Sequence, residues 1–213
     1  MKKMDVSENE STKNIFIERY HNLSDQFLIA RARKGDNLAF EAIVNRYKNQ
    51  VFTSAFYIMG NSHDASDAAQ EVFLKIYKSL HKFGGRSKFS TWLFRLTTNT
   101  CIDLIRKRKR YTSKTKELDL EYDKDFSKSA RYKELSSVER EFLRKEDGRK
   151  IIENIISLPQ KYRVPIVLRD IYGYSYREIA KLLKQPLGTL KCNIFRGRRI
   201  LRDIIFKEII SNK

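Results

Sequence analysis

Apolar residues recur along most of this chain at spacings of three and four, which is the spacing that one face of an α-helix requires. The stretch from Ala39 to Met59 shows this pattern most clearly, with Ile43, Tyr47 and Val51 on one side. Only three prolines and eight glycines interrupt the sequence, so few points are available at which helices must break. The sequence therefore predicts an all-α fold.

Helix start and stop signals divide the first half of the chain. Asp25 is suited to the N-cap of a first helix, Gly60 is expected to end the second, and Asn61 or Ser62 can cap the third. A fourth helix completes a predicted unit that spans residues 22–110. The residues of the third helix that are expected to face inward are Ala65, Ala68, Val72, Phe73, Ile76, Tyr77 and Leu80.

The sequence changes character outside this unit. Residues 1–21 are polar and lack periodicity, which is typical of a disordered leader. Residues 111–140 mix charged residues and Ser with isolated apolar residues, as charged linkers do. Helical periodicity returns over residues 141–213, where Pro165 is expected to open a helix. The prediction is thus two small helical domains joined by a charged linker.

The charge balance is strongly basic. The 213 residues include 44 Lys and Arg against 26 Asp and Glu, which gives a net charge of +18. This balance indicates a polyanionic partner, either nucleic acid or an anionic membrane surface. No segment approaches the roughly 18 to 20 apolar residues that cross a bilayer. We therefore expect a cytoplasmic protein with no membrane insertion.

Residue types that catalysis and metal binding need are scattered. Cys101 and Cys192 lie in different predicted helices without a nearby Cys or His, which indicates neither a disulfide framework nor a zinc site. The three histidines, His21, His63 and His81, do not cluster with carboxylates at metal-ligand or general-base spacing. We expect no catalytic site, no metal and no cofactor.

A helix-turn-helix is the most specific local prediction, and it places that motif in the C-terminal domain. Ser175 and Glu178 have the spacing of a capping box, and residues 184–186 form the predicted turn. The second helix carries basic and polar side chains on one surface, as a helix that enters the major groove needs. These side chains are Lys191, Asn193, Arg196, Arg198 and Arg199. The alternative is a basic amphipathic helix at the end of a small bundle.

A second stretch interleaves aromatic and basic residues. It contains Arg86, Lys88, Phe89, Trp92, Phe94 and Arg95, and a run of cations ends at Arg110. Single-stranded nucleic acid is held by this combination, because bases stack on aromatic faces for roughly 1–3 kcal/mol each while cations follow the phosphates. The alternative is that Trp92 belongs to the core and that the basic run is a solvated helix end.

Four segments resemble the extracytoplasmic-function sigma factors of bacterial RNA polymerase. Residues 64–73 (DASDAAQEVF) and 89–95 (FSTWLFR) are similar to the second conserved region of that family. Residues 174–180 (YSYREIA) and 188–199 (GTLKCNIFRGRR) are similar to the fourth region. The segments follow the family's order, and the omission of a third region is typical of this branch. The resemblance implies a promoter-reading subunit with no catalytic site of its own.

The resemblance also implies a role for each surface. Core RNA polymerase is expected to bind the acidic and amide face of the third helix, Asp64, Asp67, Gln70 and Glu71. The melted minus-ten strand of promoter DNA is expected to contact Arg86, Ser87, Lys88, Phe89, Trp92, Arg95, Arg106 and Arg110. The minus-thirty-five duplex is expected to contact Thr189, Lys191, Cys192, Asn193, Phe195, Arg196 and Arg199. The resemblance leaves room for an anti-sigma factor as a further partner.

Three positions depart from the common family pattern. Lys184 stands where a glycine often lies in the turn, Cys192 replaces a frequent Ser, and Asn193 replaces a frequent Arg or Lys. These departures bear on which bases are preferred rather than on whether duplex is bound.

The linker has to span a long distance if both promoter elements are held together. Elements centred about 25 base pairs apart lie roughly 85 Å apart, from ~3.4 Å per pair. A flexible linker of about 27 residues averages only ~30 Å from end to end, although full extension reaches ~90 Å. We therefore expect the linker to be extended and held within polymerase.

Two other classes of protein compete with this interpretation. A helix-turn-helix regulator that binds duplex operators without polymerase explains residues 173–202 but leaves the aromatic and basic stretch unexplained. A nuclease is the second alternative, and it is disfavoured by the lack of a catalytic cluster.

Overall fold

The structure is a computed structural model that describes residues 20, 22–112 and 146–211. Regular structure within these residues is helical, as the sequence predicts, and includes no β-strand. Nearly all of the predicted leader (1–21) and of the predicted linker (111–140) lies outside the described residues. The helices are α1 (Asp25–Ala32), α2 (Asn37–Met59), α3 (Ser62–Ser79), α4 (Phe89–Thr112), α5 (Glu146–Ser157), α6 (Gln160–Ile166), α7 (Tyr176–Leu183) and α8 (Leu187–Ser211).

Local signals determine where the first helices begin and end. The N-cap of α1 is Ser24 and not the predicted Asp25, because the Ser24 hydroxyl accepts a hydrogen bond from the backbone of the first turn. Gly60 ends α2 in the left-handed conformation with φ 85°, as predicted. Asn61 caps α3 by accepting a hydrogen bond from the Asp64 amide at 2.8 Å. This confirms one of the two predicted caps.

The first four helices pack around a core of their own. Its most deeply buried side chains include Leu28, Ile43, Val51, Val72, Ile76 and Leu93. Tyr77 was expected to face this core, but that prediction is wrong, because the residue is 63% exposed. Successive residues of a helix are about 100° apart, so burial of Ile76 turns Tyr77 toward the edge. Its ring meets the edge of Phe40 there, with 5.1 Å between centroids.

The start of α6 also corrects a prediction. Pro165 does not open a helix but lies buried inside α6, whose N-cap position is occupied by Pro159. Proline lacks an N–H to donate, and its ring crowds the carbonyl four residues earlier. Shortly after it, the chain widens into a π-helical turn over Val167–Ile171, in which the Tyr172 amide bonds to the Val167 carbonyl at 3.1 Å. The regular α-helical part of this segment thus ends one residue after Pro165.

The N-terminal half (α1–α4) and the C-terminal half (α5–α8) share a second buried cluster, which we call the shared core. It holds buried apolar side chains of both halves, and beside it Phe56 and Tyr57 of the N-terminal half pack against Ile152 and Ile156 of the C-terminal half. The shared core includes Ala55, Ile58, Ala65, Ala68, Cys101, Ile155, Val167, Leu168, Ile179, Leu190 and Ile194. The two halves therefore pack directly against each other. No helix in the described part of the chain is long and apolar enough to span a membrane.

Candidate functional site

Helices α7 and α8 form the predicted helix-turn-helix, and a capping box starts its first helix. The Glu178 amide donates to the Ser175 hydroxyl at 3.2 Å, and the Ser175 amide donates to the Glu178 carboxylate at 2.8 Å. The side-chain hydrogen bond with Ser175 lowers the pKa of the exposed Glu178 carboxyl. Both bonds of the predicted box are thus present.

The turn of this motif requires a left-handed residue, and Lys184 supplies it. Its backbone has φ 52° and ψ 48°, the conformation that glycine adopts with least strain. The Gln185 amide then closes the end of α7 by donating to the Ala180 carbonyl at 3.1 Å. A glycine would suit this position, as the resemblance implies, and Lys184 places a cation in the turn instead.

The first turns of α8 present one exposed surface, which we call the recognition surface. Leu190 and Ile194 are buried at 0% and 1% exposure and anchor the opposite side of the helix. Phe195 is 69% exposed although it is aromatic. Asn193 is half-buried, and its amide donates to the Gln185 side chain at 3.5 Å. The exposed members of the predicted set are Thr189, Lys191, Cys192, Phe195, Arg196 and Arg199.

Two residues position α8, and the sequence did not single out either for this role. The Gly197 backbone lies so close to α6 that an added Cβ would be 2.5 Å from Ile166 and 3.1 Å from Tyr162. The Arg198 guanidinium makes two hydrogen bonds to the Asp170 carboxylate, one of them at 3.0 Å. Sequence periodicity placed Arg198 on the basic surface, but its guanidinium is engaged in this ion pair with Asp170.

A second surface surrounds the start of α4 and the loop before it. Arg86, Ser87 and Lys88 are exposed in the loop, as is Arg95 on the helix. Phe89 is only 4% exposed.

Phe89 is enclosed by other aromatic rings, and Trp92 is among them. The Phe89 ring lies 5.3 Å from Tyr47, 5.4 Å from Phe83 and 5.6 Å from Trp92, measured between centroids. Trp92 itself is half-buried, with part of the indole at the surface. The aromatic residues therefore form a rigid support under the loop, and in this arrangement Phe89 offers no ring face to a ligand.

The basic end of α4 lies beside the turn of the helix-turn-helix. Arg106 donates to the Leu182 carbonyl in α7 and forms an ion pair with Asp103 at 3.3 Å. Lys109, Arg110 and Lys184 line the same open cleft with Arg106 and Asp103. Cations from both halves therefore converge on one side of the molecule, which favours a polyanionic ligand.

The C-terminal half also covers part of α4. The Phe94 ring lies 4.3 Å from Tyr172 and 6.0 Å from Tyr174, measured between centroids. Burial raises the pKa of the Tyr174 hydroxyl above its usual value. Phe94, which belongs to the aromatic and basic stretch, is thus occupied by protein contacts.

The predicted acidic and amide surface of α3 is largely open. Asp67 and Gln70 are exposed, and Glu71 is 3.8 Å from Lys75. Asp64 differs, because its carboxylate pairs with Arg108 and also accepts a hydrogen bond from the Asn61 side chain at 2.9 Å.

Two apolar side chains extend this face of α3. Leu74 is 56% exposed and lies three residues after Glu71, and Tyr77 is 63% exposed and lies three residues after Leu74. Tyr77 was expected to face inward, and the exposure of Leu74 was not predicted. Their presence makes the face a mixed polar and apolar surface, which is the composition of many protein interfaces.

Among the residues that the structure describes, no group of His, Cys, Asp and Glu side chains could hold a metal ion. Cys101 is buried and Cys192 exposed, and neither forms a disulfide.

Comparison with known proteins assigns both halves. Residues 43–111 match the family Sigma-70 region 2, and residues 149–201 match the family Sigma-70, region 4. The ECF RNA polymerase sigma factor SigW of Bacillus subtilis is 36% identical over 181 residues, which cover 82% of this chain and 92% of that protein. The ECF RNA polymerase sigma-E factor of Escherichia coli is 36% identical over 180 residues, covering 84% and 93%.

A solved structure with a similar chain is that of the sigma factor RpoE in complex with the anti-sigma factor NepR from Bartonella quintana. It has a TM-score of 0.49 at 18% identity and covers 78% of this chain and 96% of its own.

Proposed function

The chain belongs to the extracytoplasmic-function (ECF) family of RNA polymerase sigma factors and directs promoter-specific transcription initiation, and we propose that its two halves grip separate elements of the promoter. It acts by binding and positioning and supplies no catalytic group, because synthesis of RNA is the work of core polymerase. Since both partners reside in the bacterial cytoplasm, that is where we place the protein.

The recognition surface of α8 is proposed to read the minus-thirty-five duplex. This proposal is supported by the burial of Leu190 and Ile194, which fixes the side of α8 that faces outward. Lys191, Arg196 and Arg199 supply cations for phosphates and for guanine edges, while the Phe195 ring suits a thymine methyl group. Thr189, Cys192 and Asn193 complete the set at the N-terminal end, where a recognition helix meets base edges.

The start of α4 is proposed to capture the melted minus-ten strand. Arg86, Ser87 and Lys88 lie exposed in the loop, and the partly exposed Trp92 offers a stacking platform beside Arg95. Phe89 contributes from below, as the ring that holds Trp92 and the loop in place. Arg106 and Arg110 are proposed to grip adjacent phosphates.

The mixed face of α3 is proposed to dock on core polymerase. Asp67, Gln70 and Glu71 provide its polar part, and the exposed Leu74 and Tyr77 provide the apolar contact that gives an interface its hydrophobic centre. Asp64, the fourth polar member, is paired with Arg108 in the unbound chain and joins this surface if it exchanges that ion pair for one with polymerase. An anti-sigma partner stays a prediction from the resemblance.

The packed arrangement and the bound arrangement have to differ. The promoter elements lie roughly 85 Å apart, whereas the recognition helix here lies beside α4 and shares a buried core with it. The two halves must therefore separate when the chain reaches both elements. Opening also uncovers Phe94 and releases Arg106 from the Leu182 carbonyl.

Run-off transcription tests the proposal directly. Core polymerase and a genomic promoter library are transcribed with and without this protein, and we expect a limited set of new transcripts only with it. Trp92→Ala should impair opening of the minus-ten region, while Arg196→Ala should lower promoter affinity by about 5- to 150-fold, from ~1–3 kcal/mol per specific base contact. Lys48→Ala, an exposed change on α2 outside every proposed surface, is the control.

The contrary outcome is also defined. If the purified chain neither associates with core polymerase nor confers initiation at any promoter, the proposed division of work is wrong. Tight, specific binding of duplex DNA by the chain alone would instead support a regulator that works without polymerase.

A further inference from the structure

Arg163 is a buried cation where the two halves meet. The residue is only 8% exposed. Its guanidinium donates to the Ile156 carbonyl at 2.9 Å and to the Leu158 carbonyl at 3.1 Å. It also donates to the Met59 carbonyl in the last turn of α2 at 2.7 Å. The last carbonyls of a helix lack helical partners and carry the negative end of the helix dipole. One side chain thus serves backbone carbonyls at or just beyond two helix ends, one from each half.

Gly60 makes the contact of Arg163 with Met59 sterically feasible. A Cβ added to this glycine would be 2.3–2.5 Å from three atoms of the Arg163 guanidinium. Atoms that are not bonded cannot approach so closely, so any other residue at this position would push the guanidinium away from the Met59 carbonyl. Gly60 therefore has a second role besides ending α2 with φ 85°.

Only part of this arrangement depends on the two halves being packed together. The bonds from Arg163 to Ile156 and Leu158 lie within the C-terminal half and survive separation of the halves. The bond to Met59 joins residues 104 positions apart and is lost on separation. It lies next to the shared core, in which Ile58 and Met59 are buried. Separation therefore breaks one buried, charge-assisted hydrogen bond in addition to the apolar contacts.

We infer that Arg163 and Gly60 form a latch that holds the two halves of the unbound chain together and sets how often the chain opens. The biological meaning of the latch rests on the proposed function, because an opened chain is the one that reaches both promoter elements. A partner that binds only the open state has a lower apparent affinity, because only the open fraction of the chain can bind it. Weakening the latch therefore raises the population that is ready for polymerase.

Energy transfer between two dyes measures the opening of the purified full-length chain without polymerase. One dye is attached to the exposed native Cys192 in the C-terminal half, and the other to Lys48→Cys on α2 in the N-terminal half. We expect Gly60→Ala to lower the transfer efficiency by raising the open population about tenfold or more, which is the scale of a lost charge-assisted hydrogen bond.

Gly35→Ala is the matched control for this substitution. Gly35 also has a positive φ, 88°, close behind a helix end, so Ala is strained there as well. No heavy atom lies within 4 Å of the Cβ that it would gain, so only Gly60→Ala disturbs the contact between the halves. If both substitutions change energy transfer equally, or if neither changes it, the latch is refuted.

Arg163→Lys decides the matter if Gly60→Ala fails to fold. A lysine keeps a cation near the carbonyls of its own half, but its single ammonium group cannot span both helix ends as the guanidinium does. A decrease in transfer efficiency supports the latch, and unchanged transfer contradicts it. Because these measurements need no polymerase, failure in run-off transcription would reject the proposed function while leaving this result to be judged on its own.

Discussion

Arg198 and Arg199 are neighbours on α8 with different surroundings. The Arg198 guanidinium is hydrogen-bonded to Asp170, and this bond raises the pKa of Arg198 above its already high value. Arg199 is exposed on the recognition surface. We therefore expect Arg199→Ala to remove a contact with DNA, whereas Arg198→Ala removes an internal ion pair.

The salt dependence of promoter binding separates these two effects. Each phosphate contact contributes about 0.9 to the slope of log affinity against log salt. Raising the salt concentration from about 50 to about 200 mM lowers the affinity of the original chain by some factor. For a variant that has lost one phosphate contact, that factor is smaller by about 3.5-fold. Arg198→Ala should leave the slope unchanged and lower the free energy of unfolding by only about 0.5 kcal/mol, because the Arg198–Asp170 pair is 50% and 35% exposed and is screened by solvent.

Fluorescence anisotropy of a labelled promoter, titrated with reconstituted holoenzyme at four salt concentrations, gives the slope. Lys48→Ala serves as the control, since it removes an exposed cation on α2 that belongs to none of the proposed DNA-binding surfaces. A slope that falls as much for Arg198→Ala as for Arg199→Ala would refute the reasoning, and so would an unchanged slope for Arg199→Ala.

Three further predictions concern stability and reactivity. Ser175→Ala removes the hydroxyl that accepts from the Glu178 amide, which is one of the two bonds of the capping box, and should cost about 1 kcal/mol, a decrease of ~2–4 °C in Tm by calorimetry. Because the pKa of Glu178 is lowered in the folded chain, its ionised carboxylate adds to the free energy of unfolding above the ordinary pKa of 4.5, and this contribution is lost as the pH falls through the lowered pKa. Ser175→Ala should therefore reduce the decrease in stability at acid pH. At pH near 8, a thiol reagent should modify the exposed Cys192 and spare Cys101, whose pKa burial raises to about 12. Leu168→Ala, at 0% exposure in the shared core, should lower the free energy of unfolding in urea by ~2–5 kcal/mol.

Each of these three has a contrary result. An unchanged Tm for Ser175→Ala would contradict the stabilising contribution assigned to the hydrogen bond of the Ser175 hydroxyl. Equal labelling rates for Cys101 and Cys192 in native protein would contradict the burial of Cys101. A loss below 1 kcal/mol for Leu168→Ala would contradict the shared core, because a fully buried side chain of this size cannot be removed so cheaply.

Features set by neighbouring residues were predictable from the sequence. Gly60 at the end of α2, Asn61 at the start of α3 and the Ser175–Glu178 box each depend on hydrogen bonds that span three or four residues. The helix-turn-helix follows from the same local rules. Its left-handed residue, Lys184, was identifiable because the resemblance placed a glycine there.

Features that depend on distant contacts were not predictable. The error at Pro165 arose because proline is common in the first turn of a helix, whereas α6 begins five residues earlier, after Pro159. Phe89 was predicted to contact DNA because it lies in the aromatic and basic stretch, yet three neighbouring aromatic rings enclose it. Nothing in the sequence around Arg163 indicated that its guanidinium reaches Met59.

Because of the shared core, the residues that set the balance between the closed and the open chain differ from the residues proposed to read the promoter. Phe56 and Tyr57 of the N-terminal half pack against Ile152 and Ile156 of this chain's own C-terminal half. If α8 reads the minus-thirty-five element as proposed, a hybrid that carries a relative's C-terminal half acquires that relative's preference, but it sets differently shaped side chains against these two aromatic residues. Its balance between closed and extended forms would shift without any change at a DNA contact. Sigma factors with the same promoter code can therefore differ in how readily they compete for polymerase.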